Sequence, residues 1–527
     1  MLASGLFYLI ILLFPGFLYG ARILALFPVP SHSHYYHALP YLKNLASLGH
    51  EITSVSPFPS EEPVKNIYDI YVPEVLNSFD ELLKQMTTPK NTWEFFDATN
   101  EFVYNITKDV FNNDGVRREI LRPGKAQFDL IIVDIWKYDA FYSLAAYFEA
   151  PIIGLAPCGI DWKIDEMVGN PSPMSYLQSP SSYLYNLDTF GGRVAHVVEV
   201  AISWFNWHWR YEQKHEALYK KYFPKIAETK PLSEISQDIA LVLVNQHFTL
   251  GPPRPYVPNV IEVGGMHIDE QPKALAQDLE DFIQGSGEHG VIYFSLGTNV
   301  RTKNMVDDRK RILIEAFGSL PQRVLWKFED EELQDIPSNV LVRKWLPQQD
   351  LLAHPKVKLF ITHGGMQSTI ESIHYGKPML GLPFFYDQFT NVDHIKKHGF
   401  CLSLNYHDMT SDELKATILQ LLTEKRFEVT ARIAGARYRD QPMKPLETAV
   451  WWTHYVLRHK GAPHMRVAGR KLSFFTHHSL DVLGTVLLVI LLVIIAILLI
   501  IVFSVCKISK NISTRLVVKK QRKQKVR

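Results

Sequence analysis

Residues 31–37 read SHSHYYH and contain three histidines, His32, His34 and His37. Imidazole titrates near neutral pH, so a histidine can act as the base that removes a proton from a substrate hydroxyl. The spacing also approaches the zinc-hydrolase pattern His-x-His-x-Asp-His, but Tyr36 occupies the position of the required aspartate. The segment therefore favours one catalytic base over a metal site, and it does not say which histidine that base is.

Residues 345–388 form a second segment that could carry chemistry, because they combine glycines with polar side chains. An apolar strand is predicted to end at Thr362, and His363-Gly364-Gly365 follows as a tight turn before a predicted helix. Glycines let the backbone approach a ligand, and the N-terminus of a helix binds anions. A histidine N–H at this turn suits a phosphate group.

Other residues of this segment suit the remaining parts of a nucleotide-sugar. Glu371 lies one helical turn further along, where a carboxylate can bind ribose hydroxyls. Asp387 and Gln388 follow the next predicted strand and can bind the hydroxyls of a sugar, while Trp345 offers a flat face for stacking a base. The segment therefore predicts a site for base, ribose, diphosphate and sugar.

These residues need a scaffold, and short apolar runs alternate with amphipathic segments along the chain. This alternation predicts parallel sheets with helices on both faces, which place ligands at the carboxyl ends of the strands. The predicted strands are residues 21–27, 51–55, 128–134 and 151–155, then 290–295, 340–342, 358–362 and 378–382.

The proline-rich residues 251–258 separate these two groups of strands and are typical of a linker. We therefore predict two doubly wound α/β domains, residues 22–250 and 255–445, which face each other across a cleft.

An apolar segment lies near each end of the chain. The apolar centre of residues 6–14 precedes Gly20 and Ala21, which predicts a signal peptide over residues 1–21; an uncleaved anchor is the alternative, because the basic start is weak. Residues 482–506 are 25 residues without a charge, long enough to cross a bilayer. The basic tail, residues 507–527, is expected to stay cytosolic, so the N-terminal part lies in the lumen.

Composition excludes some classes of protein. The 527 residues carry a formal net charge of only +2, which argues against a nucleic-acid binder. Three cysteines make neither a disulfide framework nor a cysteine-based zinc site, and Cys158 and Cys401 either form one bridge or remain free. Asn105-Ile106-Thr107 is a predicted glycosylation acceptor, with Asn105 as the modified residue.

The helical stretch of residues 183–222 is rich in aromatic side chains, including Trp204, Phe205, Trp207 and Trp209. Core packing is the simplest explanation of such a stretch. A role at a membrane surface or in an acceptor pocket is the alternative that the sequence leaves open.

Residues 345–388 resemble the signature of the UDP-glycosyltransferases, a two-domain family of the GT-B fold. The family pattern is Trp-x-Pro-Gln, then His-x-Gly, a Glu eight residues after that His, and Asp-Gln at the end. This chain carries the pattern at Trp345, Pro347, Gln348, His363, Gly365, Glu371, Asp387 and Gln388. One departure is Gln367, where the family usually has Asn; the longer side chain keeps the amide but changes its contact with the diphosphate.

The resemblance extends along most of the chain. Residues 294–298, FSLGT, match the family's phosphate-side loop, and residues 446–481 resemble the segment that returns to the first domain in animal membrane-bound members. The donor-binding residues implied by the resemblance are Ser295, Gly297, Thr298, Trp345, Gln348, His363, Gly364, Gly365, Gln367, Ser368, Glu371, Asp387 and Gln388.

The resemblance also selects one histidine of SHSHYYH. In the family a Ser-His pair follows the first strand, and its His is the general base; counting back from Gly49-His50-Glu51 places that base at His34. Asp134 matches the aspartate that orients the base in the family, although a strand-end cap would explain Asp134 alone. The resemblance therefore implies a catalytic dyad of His34 and Asp134.

The implied reaction is the inverting transfer of a hexose from a UDP-sugar to a hydroxyl of a small lipophilic acceptor: a phenol, steroid, xenobiotic or pigment. The FSLGT loop and the run Gln367-Ser368-Thr369 look more like insect members than vertebrate ones, which favours UDP-glucose over UDP-glucuronate. A nucleotide-sugar binder without catalysis is the alternative class, and it would be expected to lack His34 or Asp134.

The expected partners are the UDP-sugar as co-substrate, the lipophilic acceptor and membrane lipid around one span, with no nucleic acid and a homo-oligomer left open. No metal or other cofactor is expected, because no Asp-x-Asp motif lies near the donor segment. Lys523 and Lys525 resemble a dilysine signal that retrieves proteins to the endoplasmic reticulum; the alternative is a tail that only fixes topology. The expected location is the endoplasmic reticulum membrane, as a single-pass type I protein.

Overall fold

The apolar runs of the N-terminal part form a seven-stranded parallel sheet. The computed structural model describes residues 20–86, 91–124, 126–180, 184–300, 302, 305–329 and 333–524. Its first sheet has the order β3-β2-β1-β4-β5-β6-β7. The strands are β1 Arg22–Leu26, β2 Glu51–Ser56, β3 Ile67–Tyr71, β4 Leu130–Asp134, β5 Ile152–Ala156, β6 Leu241–Val244 and β7 Val260–Glu262.

A second parallel sheet, of six strands, has the order β10-β9-β8-β11-β12-β13. The strands are β8 Val291–Ser295, β9 Arg323–Lys327, β10 Val340–Arg343, β11 Val357–Thr362, β12 Met379–Gly381 and β13 Cys401–Ser403. Residues of β8 and of β11 from Leu359 are buried on both faces, as expected for strands with helices on either side. The predicted α/β class with two doubly wound sheets is confirmed.

The helices of the N-terminal part pack on the two faces of the first sheet. They are α1 His32–Ser47, α2 Val75–Met86, α3 Thr92–Asn112, α4 Asp114–Glu119, α5 Asp139–Phe148, α6 Trp162–Val168, α7 Phe190–Asn206, α8 Glu212–Tyr222, α9 Pro224–Ala227 and α10 Leu232–Ser236. A π-helical turn, Trp207–Tyr211, joins α7 to α8. Separate apolar clusters lie on either face of the sheet, as in other doubly wound folds.

The remaining helices follow the second sheet. They are α11 Gln277–Gln284, α12 Asp307–Gly318, α13 Gln348–Ala353, α14 Met366–His374, α15 Gln388–Lys397, α16 Ser411–Thr423, α17 Lys425–Arg439, α18 Pro445–Arg458, α19 Phe474–His477 and α20 Leu480–Gln524. Two 3₁₀ turns, Pro463–Met465 and Ala468–Lys471, lie between α18 and α19. We call residues 20–262 the N-half and residues 277–439 the C-half.

The first sheet extends further along the chain than predicted. Strand β7 lies beyond residue 255 and pairs with β6, so the N-half does not end at residue 250. The proline-rich residues 251–258 connect β6 to β7 and do not act as a free linker. Arg254 donates to Asp165 at 2.8 Å, and the backbone N–H of Val257 donates to Asn170 at 2.9 Å, which fixes this connection on the N-half.

The chain returns to the N-half after α17. Helix α18 packs on α1, where the Tyr41 hydroxyl bonds with Thr453 and the rings of His50 and His454 approach within 2.9 Å between their Nε2 atoms. Residues 446–458 thus contact the helix that follows the first strand. The division into domains at the predicted boundaries otherwise stays a prediction.

The chain forms two compact units, one that ends at Val467 and one that begins at Ala468. The second unit contains α20, and within the described residues one helix, Leu480–Arg522, is long and apolar enough to cross a membrane. The helix includes the predicted span of residues 482–506 and continues through most of the basic tail. The predicted signal peptide falls on residues 1–21, of which 1–19 lie outside the described residues.

Candidate active site

The carboxyl ends of the two sheets border one cavity of about 500 Å³. Its lining includes every predicted catalytic and donor-binding residue except Gly364. Residues from both halves meet there because all strands of both sheets run parallel, so each half presents its strand ends at one edge. The cavity is the candidate active site.

His34 and Asp134 meet at the N-half edge of this cavity. His34 lies in the first turn of α1, which follows β1, and Asp134 ends the neighbouring strand β4. The Nδ1 atom of His34 lies 2.8 Å from Oδ2 of Asp134, and the Asp134 side chain is only 3% exposed. A carboxylate acceptor holds the imidazole with its proton on Nδ1, which leaves Nε2 unprotonated and able to take a proton.

Cys158 stands beside that free nitrogen. Its Sγ atom lies 3.6 Å from Nε2 of His34, just after the end of β5, and burial raises the pKa of the thiol well above its usual value. The thiol is therefore neutral. Its position shows where a hydroxyl group of a ligand can face Nε2 of His34. Cys158 and Cys401 are both free cysteines, so the bridge that the sequence left open is not formed.

The other two histidines of SHSHYYH point to different partners. His32 packs against Phe58 with ring centroids 4.0 Å apart, whereas His37 is fully buried and its ring lies 5.5 Å from that of His267. Burial, followed by the neighbouring His267, lowers the pKa of His37 well below its usual value, so this ring is neutral. No three His, Cys, Asp or Glu side chains among the described residues gather as ligands of a metal ion would.

The turn between β11 and α14 places His363 at the C-half edge of the cavity. Gly364 has a φ of 83°, which glycine adopts without strain, and a Cβ atom at Gly365 would lie 2.5 Å from Nε2 of His363. Burial, and then the charge of Lys327, lower the pKa of His363 to about 4. His363 is therefore a neutral N–H donor next to the N-terminus of α14, as a phosphate site requires.

The loop after β8 lies against the same histidine. A Cβ atom at Gly297 would lie 2.5 Å from Cε1 of His363, and the Ser295 hydroxyl accepts the Gly297 N–H at 3.3 Å. Two buried polar atoms here, Oγ1 of Thr298 and Nε2 of Gln367, have no hydrogen-bond partner among the described residues. Buried polar groups are normally paired, so these two atoms fit a site that a ligand completes.

A network of hydrogen bonds holds Glu371 in α14. Its Oε2 accepts from Nε2 of Gln348 at 2.6 Å, and its Oε1 accepts from His267 at 3.1 Å and from Gln349 at 3.3 Å. The Gln348 side chain also contacts the Ser368 hydroxyl at 3.1 Å. Glu371 is thus a buried carboxylate with a fixed orientation, which suits binding of paired hydroxyls such as those of ribose.

The two ends of the predicted donor site differ in exposure. Trp345 is 60% exposed and lines the cavity, with its ring 6.3 Å from that of Tyr36 and 5.9 Å from the ammonium of Lys327. Its open face is available to a planar group. Asp387 is buried, and that burial raises its pKa to about 6 against the effect of the hydrogen bond from Asn391.

Gln388 supports the strand-end loop that precedes it. Its Oε1 accepts the backbone N–H groups of Phe384 at 2.8 Å and Phe385 at 3.2 Å. The amide oxygen is therefore engaged in shaping the loop, and the amide nitrogen is the atom that remains for a ligand.

Some site residues did not emerge from the sequence. His267 and Gln349 hold Glu371, and Lys327 donates to the Gly297 carbonyl at 2.9 Å and to Glu329 at 2.8 Å. Cys158 closely follows β5, a predicted strand, so a search of all predicted strand ends would have found it, whereas Lys327 ends β9, which was not predicted. His267 follows β7, a strand that was not predicted.

The predicted glycosylation acceptor lies apart from the cavity. Asn105 sits within α3, where its Oδ1 accepts from Lys108 at 3.2 Å, and the hydroxyl of Thr107 is buried and donates to the Val103 carbonyl at 2.8 Å. The site is on a helix and not on a loop, and its modification stays a prediction.

Comparisons with known sequences identify the family of the chain. A family model described as "UDP-glucoronosyl and UDP-glucosyl transferase" matches residues 38–521. "UDP-glucosyltransferase 2" of Dactylopius coccus is 34% identical over 479 residues, which cover 89% of this chain and 90% of that protein. "UDP-glucuronosyltransferase 2A2" of Mus musculus is 31% identical over 480 residues, which cover 86% of this chain and 88% of that protein.

Solved structures share the fold. The calicheamicin glycosyltransferase CalG4 aligns with a TM-score of 0.55 at 17% identity and covers 83% of this chain and 99% of its own. A UDP-glucose: anthocyanidin 3-O-glucosyltransferase in complex with UDP aligns with a TM-score of 0.55 at 16% identity, with the same coverage of 83% and 99%. The fold is therefore GT-B, as the sequence resemblance implied.

Proposed function

The chain belongs to the UDP-glucosyl and UDP-glucuronosyl transferase family, and on that premise we propose that it transfers glucose from UDP-glucose to a hydroxyl of a small lipophilic acceptor with inversion at the anomeric carbon. The coarser statement, a glycosyltransferase that uses a UDP-sugar, follows from the family. Glucose, the acceptor class and the residue roles are the proposal.

One observation carries the proposal. The Nε2 atom of His34 faces a cavity whose opposite wall is built from the loop after β8 and the turn after β11. A base and a candidate diphosphate site on opposite walls of one cavity are the arrangement that a single displacement needs.

The proposed step proceeds through His34. Nε2 removes the proton of the acceptor hydroxyl while the acceptor oxygen forms a bond to the anomeric carbon. The bond between that carbon and the β-phosphate oxygen breaks, and its electron pair leaves with UDP. Asp134 stabilises the imidazolium that forms, since its carboxylate is 2.8 Å from Nδ1. The proton then passes from His34 to solvent.

The departing diphosphate meets neutral donors in this proposal. His363 donates a neutral N–H, because burial lowers its pKa to about 4, and the first turn of α14 presents backbone N–H groups at the N-terminus of the helix. Thr298 and Gln367 supply a hydroxyl and an amide that have no other partner among the described residues. These donors supply the stabilisation of the leaving group, so the proposed mechanism has no step that needs a metal ion.

The acceptor class is inferred from the wall on the N-half side. Apolar side chains line it around the dyad: Val29, Phe79, Leu82, Phe102, Ile135, Trp136 and Ile164. Such a wall favours an acceptor that brings one hydroxyl on an apolar body, for example a phenol or a steroid.

Charge favours glucose as the transferred sugar. Asp387 is a buried acid close to His34, and a uronate carboxylate placed beside it would bring a second negative charge into a buried site. The insect relative named a glucosyltransferase is also slightly more similar to this chain than the mouse glucuronosyltransferase, at 34% against 31% identity.

The proposed location is the membrane of the endoplasmic reticulum, with the cavity in the lumen. The helix Leu480–Arg522 supports a membrane anchor, and the basic residues that follow the apolar part favour a cytosolic C-terminus.

Membranes that carry the full chain provide the test, with labelled UDP-glucose or UDP-glucuronate and a panel of phenols and steroids. The wild type should form glucosides, and His34→Ala should lower the transfer rate by about 10²–10⁴-fold without loss of UDP binding. His407→Ala, at an exposed loop position, is the matched control and should transfer at the wild-type rate.

Two results would contradict the proposal. Wild-type transfer by His34→Ala would remove His34 from the role of base. A wild type that binds UDP but transfers from neither donor to any acceptor would contradict the proposed acceptor class.

A further inference from the structure

Helix α7 turns its polar residues inward and its apolar residues outward. Its buried positions are His196, Glu199, Ser203 and Asn206, all polar. A surface helix of a soluble protein normally has the opposite arrangement, with an apolar stripe facing the core. The inversion runs along the whole helix, so it is a property of α7 and not of one side chain.

Hydrogen bonds fix this orientation. Glu199 accepts from the Tyr185 hydroxyl at 2.5 Å, and Ser203 accepts from Nε1 of Trp162 at 3.0 Å. Asn206 accepts from Asn100 at 2.7 Å. Rotating the helix to bury its apolar face would leave these buried groups without partners, which is unfavourable.

The outward face is apolar without interruption. The exposed positions repeat with helical spacing, and from residue 194 onward the large residues among them are Val194, Val197, Val198, Trp204 and Phe205. None of the exposed positions of α7, all of which the structure describes, carries a charge. We call these five residues the α7 stripe.

Tryptophans extend the stripe at its C-terminal end. Trp209 in the π-helical turn is 77% exposed, and together with Phe205, Arg210 and Trp93 of α3 it lines a shallow groove. Contiguous exposed apolar surface of this kind marks a contact with another molecule or with a membrane.

We infer that the α7 stripe and Trp209 dock on the surface of the lipid bilayer, as a second membrane contact in addition to the C-terminal span. An amphipathic helix with Trp and Phe on its apolar face lies in the interface and buries that face among the acyl chains. Tryptophan is the residue that favours the headgroup depth, and three tryptophans stand at one end of this surface.

The chain itself supplies the argument for lipid over a second copy. The inference rests on the proposed membrane anchor: with the helix Leu480–Arg522 in a bilayer, lipid is present at high effective concentration around every molecule. At this effective concentration of lipid, the α7 stripe can dock on the bilayer even if its affinity is too low to bind vesicles from solution. A second copy is not linked to the stripe through the chain, so this argument gives it no effective concentration.

Docking here also has a structural link to the cavity. The Trp162 indole that donates to Ser203 begins α6, and Ile164 of the same helix lines the cavity. The inner face of α7 therefore supports a helix of the acceptor wall while its outer face contacts lipid.

The test uses the full chain at one copy per lipid nanodisc. Phe205→Cys and Val198→Cys, each in a Cys506→Ser background, carry an environment-sensitive fluorophore, and Glu413→Cys on the exposed face of α16 is the matched control. Lipids with a quencher on the acyl chain should quench the two stripe labels about threefold more strongly than the control and shift their emission to shorter wavelength. The unsubstituted background sets the signal from Cys158 and Cys401.

Three outcomes would overturn the inference. One is equal quenching at positions 205, 198 and 413. Another is an emission spectrum typical of water for the labels at both stripe positions. The third is a spectral shift that appears only in discs that hold two copies, which would assign the stripe to a contact between chains. None of these outcomes depends on sugar transfer, so the proposed function is tested separately.

Discussion

The two walls of the cavity are built in contrasting ways. On the C-half wall, polar side chains are already joined to each other: Glu371 is bonded to Gln348 and Gln349, and also to His267 of the segment that connects the halves, before any ligand arrives. On the N-half wall, the bonded pair His34 and Asp134 stands among apolar side chains, and Ser31, Ser33, His37 and Asp161 also line the cavity there.

The contrast follows from what each wall would bind under the proposed function. A UDP-sugar presents the same hydroxyls and phosphates at every turnover, so a fixed network can match them in advance. A lipophilic acceptor offers one reacting hydroxyl, and an apolar wall recognises its body by shape and burial. Fixed recognition on one wall and permissive recognition on the other explain why the sequence signature covers only the C-half.

The largest expected effect separates catalysis from binding on the N-half wall. Asp134→Asn should lower kcat by about 10²–10³-fold, because the amide neither fixes the Nδ1–H tautomer of His34 nor stabilises the imidazolium. Single-turnover transfer from UDP-glucose measures the chemical step.

Asp134→Asn should not affect binding at the C-half wall. UDP affinity of Asp134→Asn, measured by calorimetry, should equal that of the wild type. A matching loss of UDP affinity would show that Asp134 supports the whole cavity and that the two walls are not separate.

An intermediate effect is expected on the C-half wall. Glu371→Gln keeps the volume of the side chain but replaces one of its two acceptor oxygens with an NH₂ group, which meets the amide donors of Gln348 and Gln349. The affinity for UDP should therefore fall about tenfold, or about 1.4 kcal/mol. The wild type should also bind UDP better than 2′-deoxy-UDP, and this preference should shrink in Glu371→Gln.

Glu413→Gln, an exposed first-turn change in α16, is the matched control for that measurement. An unchanged preference for UDP over 2′-deoxy-UDP in Glu371→Gln would mean that Glu371 holds its neighbours and does not contact ribose.

The smallest expected effect is a dependence on pH at the sugar end. Burial raises the pKa of Asp387 to about 6, so its carboxylate is ionised above about pH 6 and protonated below it. Hydrogen bonds from sugar hydroxyls to an ionised acceptor are the stronger ones. The advantage of UDP-glucose over UDP in binding should therefore fall about fivefold, or about 1 kcal/mol, as the pH drops from 7 to 5.

Asp387→Asn removes the titrating group and should make that advantage independent of pH. A wild-type ratio of affinities that stays constant between pH 5 and 7 would place the carboxylate away from the sugar. Comparing UDP-glucose with UDP cancels the titration of the diphosphate, which both ligands share.

The scaffold could be predicted because its signals are local. Strands such as Val291–Ser295 and Val357–Thr362 are apolar runs bounded by turn residues, and they lie within two residues of their predicted limits. The continuation of the first sheet beyond residue 250 was missed because proline-rich composition indicates a turn or linker, whereas burial of Arg254 against Asp165 is a distant contact that composition does not encode.

The residues of the candidate site also divide into those that were predicted from the sequence and those that were missed. His34, Asp134 and the donor residues were predicted from the family resemblance, and the structure brings them together around one cavity. His267 was missed because it follows β7, a three-residue strand too short to show a periodic pattern. The inverted face of α7 was also hidden, since its aromatic residues are compatible with a core until the buried partners of Glu199 and Ser203 are known.

The path of the chain has a mechanical consequence. It passes between the halves twice, at residues 263–276 and 440–444, and the two passages are joined where Lys444 pairs with Glu270 and the Tyr438 hydroxyl donates to the Gly264 carbonyl. Because the two connections are adjacent, the N-half and the C-half can rotate relative to each other about a short axis through both connections. The same two connections oppose sliding or twisting of one half against the other. Any opening of the cleft would therefore swing the strand ends apart along a single arc and bring them back in register, with no search over other orientations.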